Sequence, residues 1–164
     1  DDNGVTTIVP YGSGSGAWIR LNFPVNGTRA RVQSQPVNPT GTASTTAVMA
    51  GINQTITPLV SGQVLAIITG SIEHSADNGI VNVRMLWGSG PPPINGVAST
   101  GNVLTNFITS KKPNATFLAP FSLTGYIGGL SLGVGYWFDL AFDIDSGAAG
   151  TASLIALTVT LIEL

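Results

Sequence analysis

The residues of this chain that could carry acid–base or metal chemistry begin with its single histidine, His74. It lies in residues 73–79, Glu-His-Ser-Ala-Asp-Asn-Gly, so two carboxylates flank the imidazole. A conventional zinc site needs further histidine or cysteine ligands, and the chain has one histidine and no cysteine. The Asp-Asn-Gly end is a turn signal. We therefore interpret the segment as a loop, in which His74 and Asp77 are candidates for contact with a receptor or glycan.

Three aspartates near the end of the sequence are the next chemical candidates. Residues 143–147, Asp-Ile-Asp-Ser-Gly, have the oxygen spacing of a partial calcium loop, to which Asp139 could add a ligand. The distal bidentate glutamate of such a loop is missing. Paired carboxylates could also hydrolyse a glycosidic bond, but nothing in the sequence indicates a pocket that would perturb them. We expect no catalytic residue and no cofactor, assign no metal ligand, and leave open whether calcium binds near Asp143 and Asp145.

Two glycine-rich segments match catalytic motifs only in their letters. Residues 12–16, Gly-Ser-Gly-Ser-Gly, match the string of a nucleophile elbow but not its setting between a strand and a helix. Residues 88–96, Gly-Ser-Gly-Pro-Pro-Pro-Ile-Asn-Gly, lack the lysine and the helix of a phosphate-binding loop. Long surface loops are where recognition residues gather. Asn95 is therefore a further candidate for receptor contact.

The segment Tyr136–Ile144 alternates so strictly that it predicts a strand with a core face. The opposite face carries Trp137 together with Asp139 and Asp143. A tryptophan among carboxylates indicates either a binding surface or a subunit interface. Flat aromatic faces also suit sugar rings, and Trp18 and Trp137 are the better candidates for such stacking. Subunit packing competes with sugar binding for both residues.

The elements that must position these residues are short strands separated by glycine, proline, asparagine or aspartate. No stretch offers a capped period of 3.6 residues. About eight strands in one domain predict an all-β fold, an antiparallel two-sheet sandwich with a jelly roll of the tumour-necrosis-factor type as the leading topology. Residues 1–40 are predicted to be an N-terminal arm with short strands, and residues 41–164 the sandwich. The predicted strands are Thr46–Ala50, Gln54–Thr57, Gly62–Ile72, Ile80–Trp87, Val103–Thr109, Thr116–Ile127, Tyr136–Ile144 and Ala152–Leu164, with Thr6–Val9, Ala17–Phe23 and Arg29–Gln33 in the arm.

The composition narrows the classes of partner. Only 9% of the 164 residues are charged and the net charge is −2, so the chain has no basic footprint for nucleic acid. Its longest apolar runs are too short to cross a bilayer as a helix, and we expect no membrane insertion. Such low charge fits hydroxyl-rich sheet faces, or a protomer that hides much of its surface in an oligomer.

A set of turn and strand motifs between residues 45 and 164 is more specific than the composition. With them the chain resembles C-terminal modules of bacteriophage virion proteins, such as tail-fibre, spike or capsid-attached head domains. The Tyr-Trp-Phe-Asp-Leu element and the closing Glu-Leu are the most specific parts. The motifs are Thr57-Pro58, Ser61-Gly62, Ile68-Thr69-Gly70, Asp77-Asn78-Gly79, Arg84, Gly88-Ser89-Gly90, Pro93-Ile94-Asn95-Gly96, Gly129-Leu130, Gly135-Tyr136-Trp137-Phe138-Asp139-Leu140 and Ile162-Glu163-Leu164.

The resemblance implies a non-enzymatic protein of the virion, a homotrimer whose jelly-roll head attaches to a host-surface glycan or protein. The N-terminal arm would connect it to other virion proteins. In trimeric jelly rolls of the tumour-necrosis-factor type, one sheet packs round the threefold axis. We therefore expect Trp137 between subunits, with Asp139 and Asp143 nearer the rim of that interface. The alternatives are a purely structural capsid or decoration protein, a secreted carbohydrate-binding module and, last, a glycan hydrolase.

Overall fold

The computed structural model describes residues 28–111, 113–114, 117–145 and 149–164. These residues form strands joined by turns, and none of them forms a helix long and apolar enough to cross a membrane. The strands are β1 (Arg31–Ser34), β2 (Val48–Met49), β3 (Gln54–Ile56), β4 (Val64–His74), β5 (Ile80–Ser89), β6 (Asn102–Val103), β7 (Ile108–Lys111), β8 (Ala119–Ile127), β9 (Tyr136–Ile144) and β10 (Ala152–Glu163).

The strands form two antiparallel sheets. Sheet I has the order β1-β10-β4-β8, and sheet II has the order β2-β9-β5-β6, with β3 also pairing with β9 and β7 with β5. Because β2 and β3 pair with successive parts of β9, they act as one interrupted strand, and β6 and β7 do the same along β5. The chain therefore fills eight strand positions, and its long strands alternate between the sheets. This is a jelly roll, and the predicted all-β two-sheet sandwich is confirmed.

The core lies between the two sheets and follows the predicted alternation. On β9, Phe138, Leu140 and Phe142 are completely buried and face side chains of sheet I such as Ile68 and Leu161. The predicted core face of β9 is therefore correct. Residues of β-branched or aromatic type are frequent in these strands because they pack well on a pleated surface.

The described part of the predicted arm joins the sandwich. The predicted strand Arg29–Gln33 corresponds to β1, which pairs with β10 from Arg31 opposite Ile162 to Ser34 opposite Val159. The predicted strands Thr6–Val9 and Ala17–Phe23 lie outside the described residues. The boundary drawn at residue 40 stays a prediction.

Candidate functional site

Trp137 lies on the outer face of sheet II, as its alternation predicts, but it is only 4% exposed. Its indole packs on Gly88 of β5 and on Gly101, where a Cβ atom on either glycine would overlap the ring. These glycines mark a close approach that no larger residue permits. A second hydrophobic cluster surrounds the indole, formed by Ala47, Met49, Leu86 and Ala141 with Val97 at its edge.

The chain itself covers this part of sheet II. Backbone hydrogen bonds join residues 47–49 to the following loop, from the Met49 amide to the Val97 carbonyl (2.8 Å) and from the Gly96 amide to the Met49 carbonyl (2.9 Å). We call residues 94–101 the covering loop. A tertiary contact within one chain therefore buries Trp137, so its burial requires no neighbouring subunit. The subunit interface at Trp137, Asp139 and Asp143 stays a prediction.

Asp139 fills the gap between β2 and β3. Its carboxylate is 1% exposed and accepts hydrogen bonds from the backbone N–H groups of Gly51 (2.9 Å), Ile52 (3.2 Å) and Leu140 (2.7 Å). In this gap the residues between Met49 and Gln54 outnumber those opposite them on β9, so the strand ladder is broken. Burial raises the pKa of Asp139 to about 6, against the lowering effect of the three backbone hydrogen bonds.

Asp143 lies further along the same face of β9, opposite Asn82 of β5. It is 8% exposed, and its Oδ1 accepts a hydrogen bond from the side-chain amide of Asn82 (2.7 Å). The Asn82 Oδ1 in turn accepts one from the Thr109 hydroxyl (2.7 Å). Arg84, two residues along β5, donates from Nη2 to the Ser99 hydroxyl (3.2 Å) and lies over the Phe107 ring at 4.4 Å. Together these side chains form a polar patch beside the covering loop.

The residues predicted to contact a receptor do not lie together in the described part of the chain. His74 ends β4, is completely buried, and packs against Gly79 and Gly150, so the expectation of a loop histidine is wrong. The Ala76 amide donates to its Nδ1 (3.1 Å). The Asn95 amide donates to the carbonyls of Thr40 (3.2 Å) and Ala50 (3.1 Å), which fixes the covering loop. Asp77 is exposed in its turn, and Trp18 lies outside the described residues.

The described residues contain no cluster that would support a metal site. No three histidine, aspartate or glutamate side chains among them come close enough to share an ion. Asp145 is exposed, and residues 146–148 of the partial calcium loop lie outside the described residues. Calcium near Asp143 and Asp145 therefore stays an open possibility carried by the sequence alone.

Glu163, which the site predictions missed, is anchored in a ring of backbone N–H groups. The carboxylate is 1% exposed and accepts hydrogen bonds from Leu59 (3.0 Å), Val60 (2.6 Å), Ser61 (2.7 Å) and Gly62 (3.4 Å), and from Ala30 across the sheet edge (2.9 Å). Burial alone would raise the pKa of Glu163, but the backbone donors outweigh it and lower the pKa to about 2. Successive backbone N–H groups that converge in this way form an anion-binding nest.

The outer face of sheet I, also missed, has no covering segment among the described residues. Its middle row runs from Thr124 on β8 through Ile67 on β4 to Thr160 on β10. The only charged residues on the four strands are Arg31 near one end, Glu73 near the other, and Glu163, which points inward. The remaining outward residues carry no charge and include Gln33, Leu65, Thr69, Ser71, Ser122, Tyr126, Ile155, Thr158 and Ile162.

The architecture and these sites define an all-β jelly-roll module in which, among the described residues, a loop covers part of one outer face and no segment covers the other. No family model and no curated protein matches the chain. Among solved structures it is similar to the tumour necrosis factor Eiger from S. frugiperda, at 12% identity over 82% of this chain and 85% of that one, with a TM-score of 0.37. It is also similar to a structure of infectious bursal disease virus, Gx strain, at 13% identity over 97% of this chain, with a TM-score of 0.39. The chain spans only 37% of that viral chain. Similarities this remote carry no functional argument.

Proposed function

We propose that this chain is a non-enzymatic structural module of a bacteriophage virion, which assembles as a homotrimer through the outer face of sheet I and attaches to a host surface. The motif resemblance supplies the virion role. The observation that carries the assembly is the contrast between the two outer faces: the covering loop buries part of sheet II, whereas no segment among the described residues covers sheet I.

The chemistry of the open face fits copies of the same chain. Rotational symmetry brings identical residues near one another around the axis, so a charge at the centre of a self-associating face would meet its own like charge. The middle row of Thr124, Ile67 and Thr160 avoids this repulsion. A nucleic acid or an anionic membrane would instead require basic residues, and the single arginine of sheet I lies on its edge strand.

Assembly through sheet I also accounts for the low charge of the chain. A face of leucine, isoleucine and threonine gains from leaving water, and covering a sheet protects its neighbouring edge strands from uncontrolled pairing. A decoration protein with a purely structural role would use the same face. The two candidates differ in what the loops of the assembled module bind.

The assembly is tested by the mass in solution of the full chain, measured by analytical ultracentrifugation. We expect a trimer, and we expect Thr160→Lys to yield a folded protein of lower mass because it places a charge in the middle row. The matched control is Thr55→Lys on β3, which is exposed on sheet II and should remain trimeric. A monomeric wild-type chain, or a trimer that survives Thr160→Lys and Thr124→Lys together, would contradict the proposed interface.

The attachment role is tested by mixing labelled trimer with intact bacteria and, separately, with purified phage particles. Attachment predicts saturable binding to cells of a susceptible host and none to resistant cells. Binding to particles alone would support the decoration role instead.

A further inference from the structure

The polar patch beside the covering loop has the layout of a small binding surface. Thr109, Asn82 and Asp143 lie opposite one another across β7, β5 and β9. The next row along contains Phe107, Arg84 and Ala141, since Val83 pairs with Ile108 and Arg84 with Ala141. Neighbouring strands are about 4.8 Å apart, so three strands span roughly 10 Å, the width of one or two sugar rings.

The two charged groups of this patch, Asp143 and Arg84, form their hydrogen bonds with other residues and not with each other. Within the described residues, the hydrogen bond from Asn82 is the one that Asp143 accepts, and it uses a single carboxylate oxygen. Arg84 donates one side-chain hydrogen bond, to Ser99, and its Nε is buried with no partner in the described part of the chain. By contrast, Asp139 and Glu163 are enclosed by backbone donors. Asp143 and Arg84 therefore keep capacity for a ligand.

We propose that Asp143, Asn82, Arg84 and Thr109, with the exposed edge of Phe107, form a binding site for a neutral saccharide that carries vicinal hydroxyl groups. Each hydroxyl both donates and accepts, which matches a carboxylate beside an amide, a hydroxyl and a guanidinium. Phe107 is 41% exposed and offers an apolar surface to the C–H face of a ring.

Other ligand classes fit this patch less well. A phosphate or an acidic sugar would be attracted to Arg84 but repelled by Asp143, and a metal cation would meet the reverse situation. One guanidinium and one carboxylate together carry no net charge, which favours an uncharged polyol. This inference rests on the proposed function in one respect: it supplies a site for the attachment role.

The test uses the full chain, labelled with nitrogen-15, and four probes: the methyl glycosides of glucose, galactose and mannose, and N-acetylglucosamine. We expect at least one probe to shift the side-chain amide signals of Asn82 in a saturable way. Asp143→Asn should raise the dissociation constant of that probe about tenfold, because a charged hydrogen-bond acceptor is lost. The fold should persist because the asparagine side chain can still accept the hydrogen bond from Asn82.

Two further variants separate binding from a structural role. Ser99→Ala removes the contact between Arg84 and the covering loop but leaves the guanidinium in place, so affinity should be retained. Glu73→Gln, a matched carboxylate-to-amide change on β4 of sheet I, is the control and should also bind normally. Failure of all four probes, or equal loss in Glu73→Gln and Asp143→Asn, would overturn the proposed site. If the trimer still binds host cells in that case, the proposed function stands without it.

Discussion

Two buried carboxylates, Asp139 on β9 and Glu163 on β10, accept hydrogen bonds only from backbone N–H groups in the described part of the chain, yet their pKa values move in opposite directions. Asp139 has three donors and its pKa rises to about 6. Glu163 has donors from five residues and its pKa falls to about 2. Burial penalises both charges, and only at Glu163 do the converging backbone donors outweigh that penalty.

The two carboxylates solve a similar structural problem. Asp139 supplies acceptors where the ladder between β9 and the interrupted strand β2–β3 is broken, at Gly51, whose φ is 68°. Glu163 supplies acceptors for the turn before β4 and for the chain entering β1. In both places a side chain replaces the carbonyl groups that a regular strand would have offered. The difference is that the turn at residues 59–62 points successive amides at one carboxylate, whereas the gap at Asp139 points two.

The comparison predicts its largest effect for Glu163→Gln. An amide keeps one acceptor but loses the charge and the second oxygen, and it leaves buried N–H groups of the nest without a strong partner. We expect the free energy of unfolding at pH 7 to fall by about 3 kcal/mol, measured by urea denaturation at one fixed protein concentration.

The matched control is Glu73→Gln, which changes a partly exposed glutamate at the far end of β4. It should alter stability by less than about 0.5 kcal/mol. Equal effects of the two substitutions would mean that the nest does not distinguish a carboxylate from an amide.

The pH dependence of stability should separate the two carboxylates by sign. The lowered pKa of Glu163 contributes stability above about pH 4.5, which is lost as the pH falls towards 2. The raised pKa of Asp139 makes the folded state hold a proton more tightly, a contribution present below pH 3.8 and lost as the pH rises towards 6. Stability should therefore peak near pH 4 and decline by about 1 kcal/mol towards pH 6, because the loss from Asp139 exceeds the remaining gain from Glu163. A series of urea titrations from pH 3 to 7 that rose steadily instead would contradict the raised pKa of Asp139.

The sandwich could be predicted from sequence because its strands repeat local patterns. Alternation along β9 and β10, and turn residues between the strands, indicate the core faces without any knowledge of distant contacts. The breaks within strands were harder to predict from the sequence. The predicted strand Val103–Thr109 is divided between β6 and β7, because residues 104–107 belong to neither strand.

The sites were harder to predict because they depend on contacts distant in sequence. Nothing local shows that residues 94–101 fold over Trp137, and Gly88, which the structure places inside β5 against the indole, follows directly after the predicted strand Ile80–Trp87. The alternation of inward and outward residues gave two other signs. His74 and Glu163 each occupy an inward position in the pattern of their strands. A polar residue on a core face predicts burial with a partner, and this reading would have removed His74 from the loop contacts.

The smallest effect, and the sharpest test of the comparison, belongs to Asp139→Asn. At pH 7 the substitution removes the cost of a buried charge. It also replaces the carboxylate oxygen that accepts from the Gly51 N–H with either an amide oxygen, which is a weaker acceptor, or an amide nitrogen, which cannot accept. These effects oppose each other, so we expect stability at pH 7 to change by less than about 1 kcal/mol, well below the effect of Glu163→Gln. The decline between pH 4 and 6 should disappear in this variant, whereas Asp77→Asn should retain it. If the decline persists in Asp139→Asn, another group titrates there, and the donor count no longer explains why the two carboxylates differ.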